Sequence, residues 1–476
     1  MTSTDFDLIV LGGGPAGIAG AQAAAVFGKR VALVERESRV GGAGINTGTI
    51  PSKTLRESAV LMSGWRSRKL LGVDMVIKDD RRLADFTFHE RRVVASERDR
   101  MDAQLDAVDV RRFHGRARFL DANTIAVTAP DGTESSLRAG RILIATGSSP
   151  ARPREFPFDH PRVHDSNEIL DIGAMPSSLA VVGAGVIGSE YACTFAALDV
   201  EVHLIDGRDA LLPFLDADLS SNLHAAMVEA GVTFHWREKV AACDPRDDGV
   251  HLELSSGTEL VVSDVLVAAG RTSNTADLDL ARAGIRVGER GLLTVDSVYR
   301  TEVPHVYAAG DVIGAPALAG TSMEQARFAV CHAFDVYDKL SAPILPTGIY
   351  TIPEVSTVGE TERSLRDKGI PYVVGRASYD QNARGKIVGD ERGFLKLLFR
   401  ESDMRLLGVH ALGEQASELV HIGLIAMLCD AGASLFDRAC FNYPTLGDLY
   451  KQATYLAMLQ RLPAAKSPGT PRAPRS

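Results

Sequence analysis

Short apolar runs closed by glycine punctuate the chain. Asp7-Leu8-Ile9-Val10-Leu11 leads into Gly12-Gly13-Gly14-Pro15-Ala16-Gly17. An Ala-rich stretch of helical composition follows, then Arg30-Val31-Ala32-Leu33-Val34, ending in Glu35. Brief apolar runs of this length between turn signals predict buried strands, so the segment reads strand, glycine turn, helix, strand, acid. The same order recurs where Leu179-Ala180-Val181-Val182 meets Gly183-Ala184-Gly185-Val186-Ile187-Gly188. A helical stretch and the run Val200-Glu201-Val202-His203-Leu204-Ile205 follow, closed by Asp206. First glycine and terminal acid stand 23 positions apart in both copies, from 12 to 35 and from 183 to 206.

Each glycine has a chemical reason to be there. Gly12 and Gly183 permit the tight turn, Gly14 and Gly185 let backbone approach a pyrophosphate, and Gly17 and Gly188 bring helix and sheet together. The helix N-terminus offers unpaired N–H groups and a positive dipole end to the phosphates, and the acid suits a ribose diol. One GxGxxG is weak evidence, but two complete copies imply two bound dinucleotides.

Further strands follow each copy. Arg141-Ile142-Leu143-Ile144-Ala145-Thr146-Gly147 and Val265-Leu266-Val267-Ala268-Ala269-Gly270-Arg271 both end in small residues. Such smallness fits close approach to a cofactor or a crossing strand. Val306-Tyr307-Ala308-Ala309-Gly310-Asp311 is another strand, ending in an acid. The first half thus receives chain from beyond the second, so the second domain is expected to be inserted into the first.

Composition narrows the classes. With 476 residues, three domains are expected. A net charge of −9 argues against nucleic acid as the main partner. No apolar run approaches the roughly 18 residues of a membrane span. The N-terminus has no basic region before its first strand, which argues against a secretory signal. The five cysteines, Cys193, Cys243, Cys331, Cys429 and Cys440, form no CxxC and no zinc spacing. They read as buried, inert thiols of a cytoplasmic protein, and no metal site is expected.

Taken in order, GGGPAG, ATG, GAGVIGSE, AAGRTSN and YAAGDV resemble the two-dinucleotide flavoprotein disulfide reductases, which include dihydrolipoamide dehydrogenase. The resemblance extends through Tyr350-Thr351-Ile352-Pro353-Glu354-Val355 into a C-terminal interface domain. It implies FAD on the first unit and a nicotinamide dinucleotide on the second. It also implies Asp311 at the flavin ribityl chain, and Gly115-Arg116-Ala117 near the FAD adenosine. Lys53 and Glu190 would form an ion pair beside the hydride-accepting edge, and a helix beginning near Thr321 would aim its N-terminus at the pyrimidine.

The departures from the pattern matter as much. The two cysteine positions before Pro51-Ser52-Lys53 hold Gly44 and Thr49, and neither side chain can form a thiolate. Where the family has His-Pro near its C-terminus, this chain has Tyr443-Pro444. A phenol with a pKa near ~10 is a poor base at neutral pH. These departures, with GTIPSKTLRE, ARGKIVGD and NYPT, resemble the soluble pyridine nucleotide transhydrogenases, whose members pass hydride between NADPH and NAD⁺ through FAD.

Without a dithiol, electrons would leave toward a second nicotinamide entering the vacated site, giving reversible ping-pong kinetics. Thr49 would pack or hydrogen-bond near the ring. Asp206 suits NAD, while Arg208, with Arg271 as a more distant candidate, could clamp the 2′-phosphate of NADP. Two alternatives stay open: a quinone or dye reductase, and a degenerate reductase acting only as a binding partner. The expected fold is α/β, with two Rossmann-like domains and an α+β dimerisation domain. The FAD domain would comprise 1–150 and 280–345, the nicotinamide domain 151–279, and the interface domain 346–463, with a loose tail at 464–476. A homodimer or larger homo-oligomer is expected; the role of Tyr443 stays open.

Overall fold

The computed structural model describes residues 4–62, 83–336 and 343–461. The tail expected at 464–476 lies outside them. The backbone divides into two compact units, which are the described residues of Met1–Leu212 with His224–Pro343, and of Pro213–Leu223 with Ile344–Ser476.

The first unit holds two parallel sheets. In one, Thr4–Leu11 lies between Val31–Glu35 and Glu134–Ile144, and Val306–Ala308 pairs parallel with the far end of Glu134–Ile144. The start of that same long strand instead pairs antiparallel with Thr124–Thr128. The expected strand at Arg141 is therefore only the second half of an eleven-residue strand. Its polar first half, Glu134 to Gly140, hides the beginning from an apolar-run criterion.

Both faces of this sheet are buried. Leu8, Val10, Val31 and Leu33 pack with Ala21 and Ala24 of the helix Pro15–Val26, and with Ala326 and Val330 of the helix Ala319–Ala333. Ile9, Leu11, Ala32 and Val34 face the opposite core with Ile125 and Val127. Two-sided burial is why the strands read as unbroken apolar runs.

The second parallel sheet runs, in spatial order, Val232–Trp236, Glu201–Asp206, Ser178–Val182, Asp264–Val267 and Val163–Asp165. A three-stranded antiparallel sheet of Val240–Arg246, Gly249–Leu254 and Glu259–Val262 accompanies it. Between the two sheets in sequence, Ser148–Pro150 and Arg271–Ser273 zip together as a two-stranded ribbon.

The second unit is built on an antiparallel sheet ordered Thr347–Ile349, Val355–Gly359, Leu406–Leu412, Phe394–Arg400 and Tyr372–Ser378. Helices Ala416–Leu428 and Leu449–Leu459 supply Leu419, Val420, Tyr450 and Ala453 to its core. Residues 213–223 belong here because Lys396, fully buried, reaches back for them. Its ammonium donates to Asp216 at 2.7 Å, to Asp218 at 2.8 Å, and to Glu362. These carboxylates point at one centre as metal ligands would, and the ammonium occupies that centre. Burial works against the charge on Lys396, but the three carboxylates outweigh it and push its pKa up to about 12.

Candidate active site

The two glycine turns repeat each other atom for atom. Gly12 has φ +102° and Gly183 φ +108°, a left-handed region that favours glycine. A Cβ on either would lie 2.4 or 2.5 Å from the carbonyl oxygen of Ala145 or Ala268. On Gly17 or Gly188 it would lie 1.8 or 1.9 Å from the carbonyl of the first glycine. The first and third glycines are thus required by the protein's own packing. The middle ones are not: Gly14 has its nearest neighbour at 3.8 Å, and Gly185 has none within 4 Å. The middle glycine borders open space at a helix N-terminus, which is where a pyrophosphate needs close backbone approach.

Each terminal acid folds back onto its turn. Glu35 accepts from the N–H of Gly13 at 2.6 Å, and from that of Glu37 at 2.9 Å. Asp206 accepts from the N–H of Ala184 at 2.6 Å, and from that of Arg208 at 2.8 Å. There the likeness ends. The Arg208 guanidinium also donates to both oxygens of Asp206, at 2.9 and 2.7 Å. Burial raises the pKa of Asp206, but the bonds from Arg208 and Ala184 outweigh it and hold the carboxyl below the usual range.

The remaining expected residues gather around these turns. Gly115 donates its N–H to the carbonyl of Glu35 at 2.8 Å, which places Gly115 beside the first acid, and Ala117 packs on the sheet core. Thr146 and Gly147 offer their carbonyls to Asn274, at 3.0 and 2.9 Å, so the two downstream strands are laced together. Gly270 accepts from Ala151 at 3.0 Å. Asp311 accepts from the Ser148 hydroxyl at 2.6 Å. Ser148, Asn274 and Gln325, whose side chain accepts from the N–H of Gly310 at 2.9 Å, were missed by sequence reasoning. Only their neighbourhood to ATG, GRTSN and the Gly310 turn could have suggested them.

Lys53 and Glu190 meet at 2.5 Å across the helices Thr49–Met62 and Val186–Ala196. Glu190 is 8% exposed and Lys53 23%, so the pair is shielded from water yet reachable from one side. Thr49 opens the helix one turn before Lys53. At position 44 a Cβ would fall 2.5 Å from Cγ of Pro15, so the turn closes tightly over the glycine. All five cysteines are free. Cys193 and Cys331 are buried as expected; Cys243 is half-buried, and Cys429 and Cys440 are exposed, contrary to expectation. His410 is fully buried, held by Thr357 at 2.7 Å and the Glu360 carbonyl at 2.9 Å, in a packing role.

Buried hydroxyls without partners occur on the helices Leu83–Asp106 (Thr87) and Leu449–Leu459 (Thr454), and three more lie near the glycine turns and the Asp311 segment. Among the described residues, Thr146, Ser189 and Thr321 each bury a hydroxyl oxygen that has no hydrogen-bond partner. Thr321 sits in the first turn of the helix Ala319–Ala333, one helical turn before Gln325, which holds Gly310 beside Asp311. Thr146 adjoins Gly12, whose Cβ would lie 3.0 Å from its Cα. Orphaned donors beside both turns, with open space at Gly14 and Gly185, fit a pair of dinucleotides.

Comparison with known proteins shows the family. Residues 6–326 match the pyridine nucleotide-disulphide oxidoreductase family, and residues 345–454 match its dimerisation domain. A soluble pyridine nucleotide transhydrogenase of Mycobacterium bovis is 45% identical over 94% of this chain and 96% of its own. The protein of that name from Escherichia coli is 40% identical over 95% and 97%. Among solved structures, LpdA from Mycobacterium tuberculosis has a TM-score of 0.88 at 28% identity, covering 96% of this chain and 100% of its own.

Proposed function

The chain belongs to the pyridine nucleotide-disulphide oxidoreductase family, and from that premise we propose that it is an FAD-dependent transhydrogenase. In this reading it passes hydride reversibly between NADPH and NAD⁺ and uses no dithiol. The observation that carries the reading is the pairing of two complete glycine-turn units with Gly44 and Thr49 at the thiol positions. FAD supplies, when bound, the two-electron carrier between one nicotinamide and the next. Gly12, Gly14, Gly17, Glu35, Gly115, Ala117, Thr146, Gly147 and Asp311 would hold it. Gly183, Gly185, Gly188, Asp206, Arg208 and Gly270 would bind the nicotinamide dinucleotides in turn.

The chain's own contributions are binding, orientation and charge. Lys53, fixed by Glu190, keeps a positive charge where negative charge builds up during hydride transfer. Thr49 shapes the same helix end. Asp206 accepts a ribose hydroxyl, and Arg208 offsets its charge when a 2′-phosphate enters. A shared site for donor and acceptor predicts ping-pong kinetics.

The proposed domains are 1–150 with 280–345 for FAD, 151–279 for the nicotinamide dinucleotides and 346–463 for the interface, with residues 213–223 of the second range lying in the C-terminal compact unit. No described helix is long and apolar enough to cross a membrane, and the proposed compartment is the cytoplasm. The exposed apolar side chains Ile425, Leu428, Tyr443, Leu456 and Leu459 give the C-terminal unit a surface suited to homodimer formation.

The test is steady-state turnover of FAD-loaded protein with NADPH and thio-NAD⁺, set against a quinone panel, lipoamide and oxidised glutathione. Parallel initial-rate lines with thio-NAD⁺ are expected. Faster turnover of quinones would replace the reading with a quinone reductase, and turnover of either disulfide would overturn the dithiol-free mechanism.

A further inference from the structure

Arg271 leaves the second parallel sheet four residues after the strand Asp264–Val267 and enters the ribbon with Ser148–Pro150. Its side chain is 19% exposed. Nε donates to the Ser148 hydroxyl at 2.6 Å, and an Nη donates to the Ser148 carbonyl at 2.7 Å. The hydroxyl, having accepted from arginine, directs its single proton to Asp311 at 2.6 Å. Nε also lies 3.6 Å from that same Asp311 oxygen. The chain of donors therefore runs one way, from Arg271 through Ser148 to Asp311. Burial pushes the guanidinium below its usual value, with Asp311 and then Asp165 opposing the shift. A buried cation held by one carboxylate is costly to leave unpaired, so the two charges stabilise each other.

Arg208 is the opposite case. It is 45% exposed, and among the described residues its guanidinium bonds to the acid at the end of its own strand. Two of the Arg271 donors are taken by Ser148, which anchors the guanidinium beside Asp311, whereas the expectation made it a more distant candidate for the 2′-phosphate.

We propose that Arg271 is a positioning residue for the flavin: through Ser148 it holds Asp311 correctly aimed, so that it governs FAD binding and not the choice between NAD(H) and NADP(H). This inference rests on the proposed binding of FAD to the first unit. Asp311 has one oxygen engaged by Ser148, and the other takes none of these bonds and is available to a ligand hydroxyl.

The test is titration of apoprotein with FAD, followed by flavin fluorescence quenching, for wild type, Arg271→Met, Arg271→Lys, Ser148→Ala and Asp311→Asn. Arg271→Met should raise the FAD dissociation constant by about tenfold or more, as loss of a charge-assisted bond would, with Arg271→Lys recovering part of it. In the Asp311→Asn background the same Arg271→Met change should add less than about threefold, because the two act through one path. At saturating FAD, the NADPH to NADH ratio of kcat/KM should stay within about twofold of wild type. Unchanged FAD affinity, full additivity with Asp311→Asn, or a shifted NADPH to NADH ratio would each overturn the proposal. Should Arg271→Met fail to fold, Ser148→Ala and Arg271→Lys carry the same test. Wild-type apoprotein that takes up no FAD would instead overturn the functional reading on which this rests.

Discussion

The two glycine-turn units share a turn geometry and differ in what surrounds the terminal acid. In both, the terminal acid accepts from the second residue of the turn across 22 positions, at 2.6 Å. Glu35 keeps the rest of its capacity for a ligand, whereas Asp206 is clasped on both oxygens by Arg208. On the proposed function, a unit that holds one cofactor permanently can leave its acid to backbone donors. In the same proposal, a unit that admits two nucleotides differing by a phosphate needs a charge that can be redistributed, and the Asp206–Arg208 pair would supply one.

The comparison can be broken most severely at the glycines. Gly17→Ala and Gly188→Ala place a Cβ under 2 Å from a carbonyl and should each cost at least ~3 kcal/mol, seen as loss of the thermal transition. Gly185→Ala meets nothing within 4 Å, so it should melt within a few degrees of wild type. Its KM for both nicotinamides should nevertheless rise by about tenfold or more, as backbone approach to the pyrophosphate is blocked. A normal KM would mean that the middle glycine does not face the ligand.

Next in size is the Lys53–Glu190 pair. Lys53→Met removes the charge proposed to lie beside the reacting edge and takes the ammonium from the buried Glu190. Stopped-flow bleaching by NADPH should slow by about 10- to 100-fold. Glu190→Gln, which keeps the volume, should slow it less.

Smaller effects separate the two acids. Arg208→Ala should lower kcat/KM for NADPH by about tenfold while leaving NADH within about twofold. Asp206→Asn should raise the NADPH to NADH ratio by about three- to fivefold; an unchanged ratio would remove Asp206 from specificity. The smallest effect concerns pH. The carboxyl of Asp206 is held below its ordinary 3.8, so the pair is fully formed above that value and lost only as pH falls through the lower, folded one. Asp206 should therefore add no change to the nucleotide ratio from pH 8 down to about 5, and any change seen there should match titration of the 2′-phosphate at ~6 and persist in Asp206→Asn.

Much of this site was legible in the chain. The turns, their acids and the Lys53–Glu190 pairing could be named, the first from local chemistry and the second by family resemblance. The long strand Glu134–Ile144 was half hidden, because its polar start serves an antiparallel neighbour while its apolar end joins the parallel sheet. The buried Lys396 gave no signal, since a lysine within an apolar strand cannot announce carboxylates 178 and 180 residues away. Arg271, at the end of the nicotinamide sheet in sequence, gave no sign that its guanidinium meets Ser148.

By itself, then, the sequence determined the two binding turns, because steric demands on a glycine and burial demands on a strand act within a few residues and leave a periodic trace. Only the tertiary structure decided which charges meet. Arg271 reaches Ser148 across 123 positions, and Ser148 reaches Asp311 across 163. Those encounters depend on where separate strands cross, and spacing along the chain carries no record of that.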